Sequence, residues 1–159
     1  MRIGYGYDVH RLKAGRRCIL CGVEIPCEFG PDGHSDADVP VHALMDALLG
    51  AVALGDIGTH FPDTDNQWKN ADSIELLKTV YTLIAEHGYE LGNADITIVL
   101  QEPKINPFIK RMRLSLSNAL NTDLKNISVK ATTEEKLGFT GTGTGISATA
   151  IVLLVAKSE

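Results

Sequence analysis

Lysine and arginine are missing from the 51 residues between Cys18 and Trp68. Over the whole chain they number 15 against 20 Asp and Glu, a net charge of −5, which argues against a nucleic-acid partner. Cysteine is scarce and odd in number (Cys18, Cys21 and Cys27), so a disulfide framework is excluded and a reducing, cytoplasmic setting is expected. No apolar run reaches the roughly 18 residues of a spanning helix, and Ile146–Ala156 has only strand length. Met1-Arg2-Ile3-Gly4-Tyr5 lacks the basic-then-apolar pattern of an export signal, so no membrane association is expected. Walker-type G-x-x-x-x-G-K-[ST], H-E-x-x-H and an adjacent His-Asp dyad are all absent, which removes the P-loop and the commonest zinc-protease and phosphohydrolase patterns. The run Gly143-Thr144-Gly145-Ile146-Ser147-Ala148 imitates a dinucleotide fingerprint, but it follows a loop rather than a strand.

What remains is a chain of 159 residues, 44% hydrophobic and 22% charged, read as one domain over residues 1–159. At this size folding buries roughly 69% of the unfolded surface, so the core needs no disulfide or structural metal. Ile3–His10 and Cys18–Ile25 read as an antiparallel opening pair joined near Ala14-Gly15, with Pro26 ending the second strand. Glu28–Asp38 and Gly55–Asn70 read as loops. A helix is expected from Pro40 to about Leu54, capped by Asp38, with Leu44, Met45, Leu48, Leu49 and Val52 on its apolar face. A second is capped by Asp72 or Ser73 and stopped by Gly88; a third covers Pro107–Asn121, carrying Lys110, Arg111 and Arg113 outward. Ala94–Gln101, Ile127–Ala131 and Ile146–Val155 read as strands. Together these predict an α/β (α+β) sandwich, a mixed β-sheet with helices packed on one face. Within the Cys18–Ile25 strand, Cys18 and Cys21 would face opposite sides, which favours buried thiols over a metal or redox pair.

The cation-free window carries nine carboxylates, a local charge of −9, and four of the five histidines (His10, His34, His42, His60) fall in or just before it. Asp8 and His10 are i and i+2 on a strand and share a face; His42 and Asp46 are i and i+4 on a helix and share another. Each histidine alone reads as an ordinary packed or solvated side chain. Clustered, one Asp and two His suit a divalent metal with a position left for substrate. Asp46 either orients the His42 ring or solvates its helix.

Lys130–Lys136 leaves a strand and enters the Gly-rich run Gly138–Gly145. Hydroxyls and backbone N–H groups in such a turn suit phosphate oxygens, and Glu134 or Glu135 among phosphates implies a bridging Mg²⁺. A plain connection between strands at a subunit contact fits this segment equally.

In combination the blocks resemble the 2-C-methyl-D-erythritol 2,4-cyclodiphosphate synthase family: Gly4–His10, His34–Ala47, Gly55–Gly58, Phe61–Asp65 and Lys130–Phe139, in order along essentially the whole chain. The resemblance implies a homotrimer with active sites between subunits. It implies conversion of 4-diphosphocytidyl-2-C-methyl-D-erythritol 2-phosphate to the cyclic diphosphate, with release of CMP. By position, Asp8, His10 and His42 would hold Zn²⁺, and Glu135 a Mg²⁺ or Mn²⁺ bridging substrate phosphates. His34 and Thr133 would stabilise the transition state, and Ser35 would bind phosphate. Asp56 and Gly58 would contact the erythritol hydroxyls, and Ile57, Phe61, Pro62, Asp63, Thr64 and Asp65 would belong to the substrate loops. Leu100, Gln101, Glu102, Pro103, Lys104, Ile105 and Asn106 would form the cytidine loop, with Thr132, Glu134 and Phe139 completing the substrate contacts. The pattern departs at Thr142 and Thr144, where family members often carry Arg and Glu beside an axial cavity; uncharged Thr142 removes the cation that would hold an isoprenoid diphosphate there.

A substrate that supplies its own phosphate nucleophile needs no activated Ser or Cys, and no such triad stands out. Metals would offset repulsion between phosphoryl groups, and the protein's task becomes positioning. The alternative from another enzyme class is a metal-dependent phosphohydrolase acting on a nucleotide diphosphate.

Overall fold

Gly4 and Gly6 alternate with exposed Ile3, Tyr5 and Tyr7 along the first strand, β1 (Arg2–Ala14), and that alternation organises the molecule. The computed structural model describes residues 1–157. β1 pairs antiparallel with β7 (Gly145–Ala156), putting Asp8 opposite Ala148 and His10 opposite Ile146. β7 pairs with β5 (Tyr89–Val99), which runs parallel to β6 (Ile127–Thr132). With β4 (Phe29–Pro31) at the other edge, the sheet order is β4-β1-β7-β5-β6.

α1 (Val39–Ala51) lies across β1 and β7, and the glycines are why it can lie so close. A Cβ on Gly4 would run into Ala47 O, and one on Gly6 into Ala43 O, so the helix backbone rests directly on the strand backbone. Eleven of the 13 residues of α1 are buried, leaving it apolar nearly all round, as befits a helix enclosed by sheet and other helices. Each fully buried Leu here (Leu44, Leu48, Leu49) contributes roughly 1.5–3 kcal/mol of transfer free energy. α3 (Ser73–Glu86) packs on α1 and β5, and α4 (Ile109–Ala119) on β6 and α3, all on the same face. The mixed sheet with helices on one face is as expected. The opposite face is left bare, with Ile3, Tyr5, Tyr7, Val9 and Ile151 exposed.

Several boundaries differ from those expected. Cys18–Ile25 is a hairpin, β2 (Cys18–Leu20) and β3 (Val23–Ile25), because Cys21 (φ 51) and Gly22 (φ 72) both take positive φ and close a two-residue turn. β1 therefore pairs with β7 and β4, and the opening antiparallel pair is β1 with β4, inside the segment expected to be loop. Cys18 and Cys21 are buried and Cys27 half-buried, so the inert-thiol reading stands for a different geometric reason; burial pushes the Cys18 thiol up to about 12.

α1 stops at Ala51, three residues early, where Ala53 (φ 60) and Gly55 (φ 83) turn the chain back. Residues 55–70 hold a short helix, α2 (Ile57–His60), and a 3₁₀ turn, Asn66–Trp68. β5 starts at Tyr89 rather than Ala94, since its polar first half pairs with β7 across an irregularity at Gly92. The third expected helix opens as a 3₁₀ turn, Asn106–Phe108, before α4 begins. Arg113 points back rather than outward: it donates to Ile127 O (2.7 Å) and Leu124 O (3.0 Å), tying α4 to β6.

Candidate active site

The face of β1 that carries Gly4 and Gly6 continues as Asp8 and His10, so the residues that seat α1 lead directly to two polar side chains. α1 delivers the third, since Asp38 caps it through Val41 N (3.3 Å) and His42 lies one turn in. Asp38 is fully buried and also accepts from Cys21 N (2.8 Å) and Gly22 N (2.6 Å), tying the hairpin turn to the start of α1. Burial raises its carboxyl to about 7 despite these donors.

One oxygen of Asp8, Oδ2, lies 3.2 Å from His10 Nε2 and 3.1 Å from His42 Nδ1. A ligand atom from each of the three residues falls within 4.8 Å of the others. His10 Nδ1 is 2.8 Å from Asp32 O, which only accepts, so the proton sits on Nδ1 and Nε2 turns its lone pair inward. Gly33 leaves room for this ring, because a Cβ there would come 2.9 Å from His10 Cε1. Burial would raise the Asp8 carboxyl, but when His10 and His42 carry protons on the nitrogens that face it their hydrogen bonds outweigh burial and hold it at about 2; the Asp8 contact in turn raises His10. Imidazole lone pairs and a carboxylate aimed at one point repel unless a proton or a cation lies among them. The donor set therefore fits a divalent metal held by two nitrogens and an oxygen.

Asp8, His10 and His42 line a cleft of about 570 Å³, lined also by His34, Ser35, Ile57, Gly58, Phe61, Pro62, Asp63 and Thr64. The Nε2 of His34 is buried and has no hydrogen-bond partner among the described residues. Arg16, far from these residues in sequence, holds their loop by donating to Pro31 O (3.2 Å), Gly33 O (3.1 Å) and Ser35 O (3.2 Å). Asp56 does not line the cleft; it caps α2 through Thr59 N (2.9 Å), presenting Ile57 and Gly58. Asp65 likewise caps the 3₁₀ turn, through Gln67 N (3.0 Å). His60 is not brought to Asp8, His10 and His42; its Nε2 contacts Leu54 O at 3.0 Å. Asp46 takes neither role considered for it, since Oδ1 accepts from Ile57 N (2.8 Å) and so moors α2 to α1.

Sequence reasoning missed the apolar lining, Met45, Trp68 and Leu76, with Trp68 edge-on to Phe61 at 5.0 Å. Only Trp68 left a signal, as the lone tryptophan at the end of the cation-free window. Ser73, fully buried beside His42, left none.

The other expected site residues gather in a second cleft of about 620 Å³: Leu100, Gln101, Glu102, Pro103, Lys104, Ile105 and Asn106 face Thr132, Thr133 and Glu135. Glu135 takes positive φ (52) and accepts from Thr133 Oγ1 (2.8 Å). Lys136 N donates to Gln101 Oε1 (3.3 Å), linking the two walls. Glu134 and Phe139 line neither cleft; the Glu134 carboxylate accepts from Thr140 Oγ1, and the Phe139 ring packs against Gly145. Within one chain, then, Glu135 and Thr133 belong to a different cleft from Asp8, His10 and His42.

Fold and donor set together place the protein in a defined class: the YgbB family model matches residues 1–155, and the chain belongs to that family. Among individual proteins it is similar to the 2-C-methyl-D-erythritol 2,4-cyclodiphosphate synthase of Clostridioides difficile (strain 630), with 58% identity over 159 residues, 100% of this chain and 99% of that one. Of solved structures, the bifunctional IspDF of Campylobacter jejuni superposes with a TM-score of 0.96 at 44% identity, over 99% of this chain and 42% of that longer one. IspF of Plasmodium falciparum, solved as a CDP complex, gives a TM-score of 0.87 at 38% identity, over 99% of this chain and 97% of that one. These relatives lend no support to the phosphohydrolase alternative.

Proposed function

We propose that the chain closes 4-diphosphocytidyl-2-C-methyl-D-erythritol 2-phosphate into 2-C-methyl-D-erythritol 2,4-cyclodiphosphate and releases CMP. The observation that carries this reading is the convergence of Asp8, His10 and His42 in the wall of a cleft, in a chain 58% identical end to end with a synthase of that name. An oxygen of the 2-phosphate attacks the β-phosphorus while the bond to the α-phosphate oxygen breaks, and CMP takes the departing electron pair. The nucleophile and electrophile belong to one substrate, so positioning dominates and can contribute roughly 7–11 kcal/mol at best.

Asp8, His10 and His42 would hold Zn²⁺, and Glu135 a Mg²⁺ or Mn²⁺. When bound, these cations offset repulsion between the phosphoryl groups and stabilise charge that develops in the displacement. His34 and Ser35 line the cleft and would serve as phosphate donors, and Thr133 would supply a hydroxyl from the other cleft. Asp56 would shape the wall of Ile57 and Gly58 against the erythritol hydroxyls, in the cleft that Phe61, Pro62, Asp63 and Thr64 also line, with Asp65 holding the turn that follows. Leu100 to Asn106 would take the cytidine, in keeping with the CDP bound to the Plasmodium relative. Glu134, held by Thr140, and Phe139 would support the nucleotide side.

Two features support a homotrimer. The bare face of β1 and β7 presents Ile3, Tyr5, Tyr7, Val9 and Ile151 to solvent, an apolar surface of the kind that subunits cover. The zinc-side and nucleotide-side residues also form separate clefts in one chain, so a complete site needs the nucleotide side of a neighbour. A cytoplasmic location fits three free cysteines and the absence of any helix long and apolar enough to cross a membrane among the described residues. Incubating the purified protein with the diphosphate substrate tests the function: CMP and a cyclic product are expected, whereas a linear phosphate product would overturn it in favour of hydrolysis.

A further inference from the structure

We propose that Ser73 and Asp36 are positioning residues that fix the tautomer of His42, so that Nδ1 presents its lone pair toward Asp8 and His10. The inference rests on the cation-site reading above. His42 Nε2 lies 3.0 Å from Ser73 Oγ, at a point where both residues are buried. Ser73 Oγ is itself hydrogen-bonded to Asp36 Oδ1, and Ser73 N donates to Asp36 Oδ2 at 3.0 Å. A carboxylate oxygen only accepts, so the Ser73 hydroxyl proton goes to Asp36. The serine oxygen is then left as an acceptor, and the hydrogen between it and His42 comes from Nε2. One imidazole nitrogen carrying the proton leaves the other as a lone pair, and that other nitrogen, Nδ1, is 3.1 Å from Asp8 Oδ2. His10 reaches the same end by a simpler route, with its outer nitrogen fixed by the backbone carbonyl of Asp32. Both histidines thus turn a lone pair on the same carboxylate, each because the far nitrogen is committed elsewhere.

The relay has a second consequence. Ser35 Oγ, 3.3 Å from the same Nε2, accepts there and from Ala37 N (3.1 Å). Its own hydroxyl proton has no acceptor among the described residues and is free for a ligand oxygen in the cleft that Ser35 lines. Ser73 opens α3 and Asp36 sits in the loop before α1, so the relay also ties the position of α3 to the orientation of His42.

Ser73→Ala removes the acceptor and keeps the backbone hydrogen bond to Asp36, and Ser73→Thr retains the hydroxyl. With Zn²⁺ alone as probe, competition against a chromophoric chelator is expected to find binding about 10- to 100-fold weaker in Ser73→Ala and within a few-fold of wild type in Ser73→Thr. Asp36→Asn, which keeps the shape but loses an acceptor, is expected to weaken binding several-fold and serves if Ser73→Ala fails to fold. Long-range ¹H–¹⁵N spectra of the metal-free full chain above about pH 8 read the tautomer directly: His42 protonated on Nε2 in wild type, and a mixture in Ser73→Ala. Equal zinc affinity in wild type and Ser73→Ala, or an unchanged His42 spectrum, overturns the relay while leaving the cation site standing. Wild-type protein with no measurable zinc affinity removes both.

Discussion

Gly6→Ala adds one methyl group to the strand face on which α1 rests. The new Cβ would overlap Ala43 O and stand 2.7 Å from Ala47 N, and both contacts are helix backbone, which cannot swing away as a side chain would. Restoring ordinary separation requires α1 to recede by about 1 Å, at a cost of about 3 kcal/mol for overpacking. In a chain of this size that lowers the thermal midpoint by roughly 6–12 °C. The displacement reaches His42, the residue before Ala43, whereas metal–ligand distances tolerate only about 0.2 Å. Zinc affinity should therefore fall together with stability. Gly50→Ala is the matched control: Gly50 lies in α1, exposed, with nothing within 4 Å of the added Cβ. It should be stabilising by about 0.4–1 kcal/mol and leave zinc binding alone. Differential scanning fluorimetry at fixed protein concentration, paired with chelator competition, measures both quantities. A Gly6→Ala protein that matches wild type in midpoint and zinc affinity would refute the claim that the glycine face sets the helix against the ligands.

Three further outcomes are expected. His42→Ala should lose zinc and reduce CMP release by roughly two orders of magnitude or more, while keeping its oligomeric state by size-exclusion chromatography, because the apolar contacts of α1 remain; full activity in metal-free variant protein would exclude the assignment. Glu135→Gln should retain zinc but raise the Mg²⁺ concentration for half-maximal activity roughly tenfold, and an unchanged titration would count against its role. In metal-free protein the Asp8–His10 contact should stabilise the fold only over a window of pH. His10 is raised by Asp8, so its contribution is complete below 6.5 and lost as pH rises through its folded value; Asp8 is held at about 2, so its contribution is present above 3.8 and lost as pH falls toward 2. Midpoints measured with chelator from about pH 5 to about pH 9 should fall on the alkaline side and recover when Zn²⁺ replaces the proton; a rise with pH under chelator would contradict it.

Period and spacing made much of the molecule legible. The i, i+2 relation of Asp8 and His10 is strand geometry, and it holds because β1 is paired along that whole length. Helix ends marked by Asp38, Asp72 and Gly88 fall where side-chain caps and positive φ require them. The Cys21-Gly22 turn was legible in principle, but a cysteine at positive φ is a weak signal, and the segment therefore read as one strand. Asp46 shows a different limit. A carboxylate one helical turn from a metal-ligand candidate has several partners within reach, and the backbone N–H from which it accepts, Ile57 N, belongs to a segment expected to be a loop.

Local chemistry is written in the order of residues, and so the chain by itself determines its α+β class, its cation-free acidic window and the histidines and carboxylates from which a candidate metal site is drawn. The tertiary structure decided what depends on approach between distant segments. It brought α1 onto bare glycine backbone and His42 to Asp8, placed Ser73 behind His42, and used Arg16 to hold the loop of His34 and Ser35. It also put Thr133 and Glu135 in a cleft of their own. Contacts between segments distant in sequence follow from how a core closes, and no periodicity in one chain encodes them.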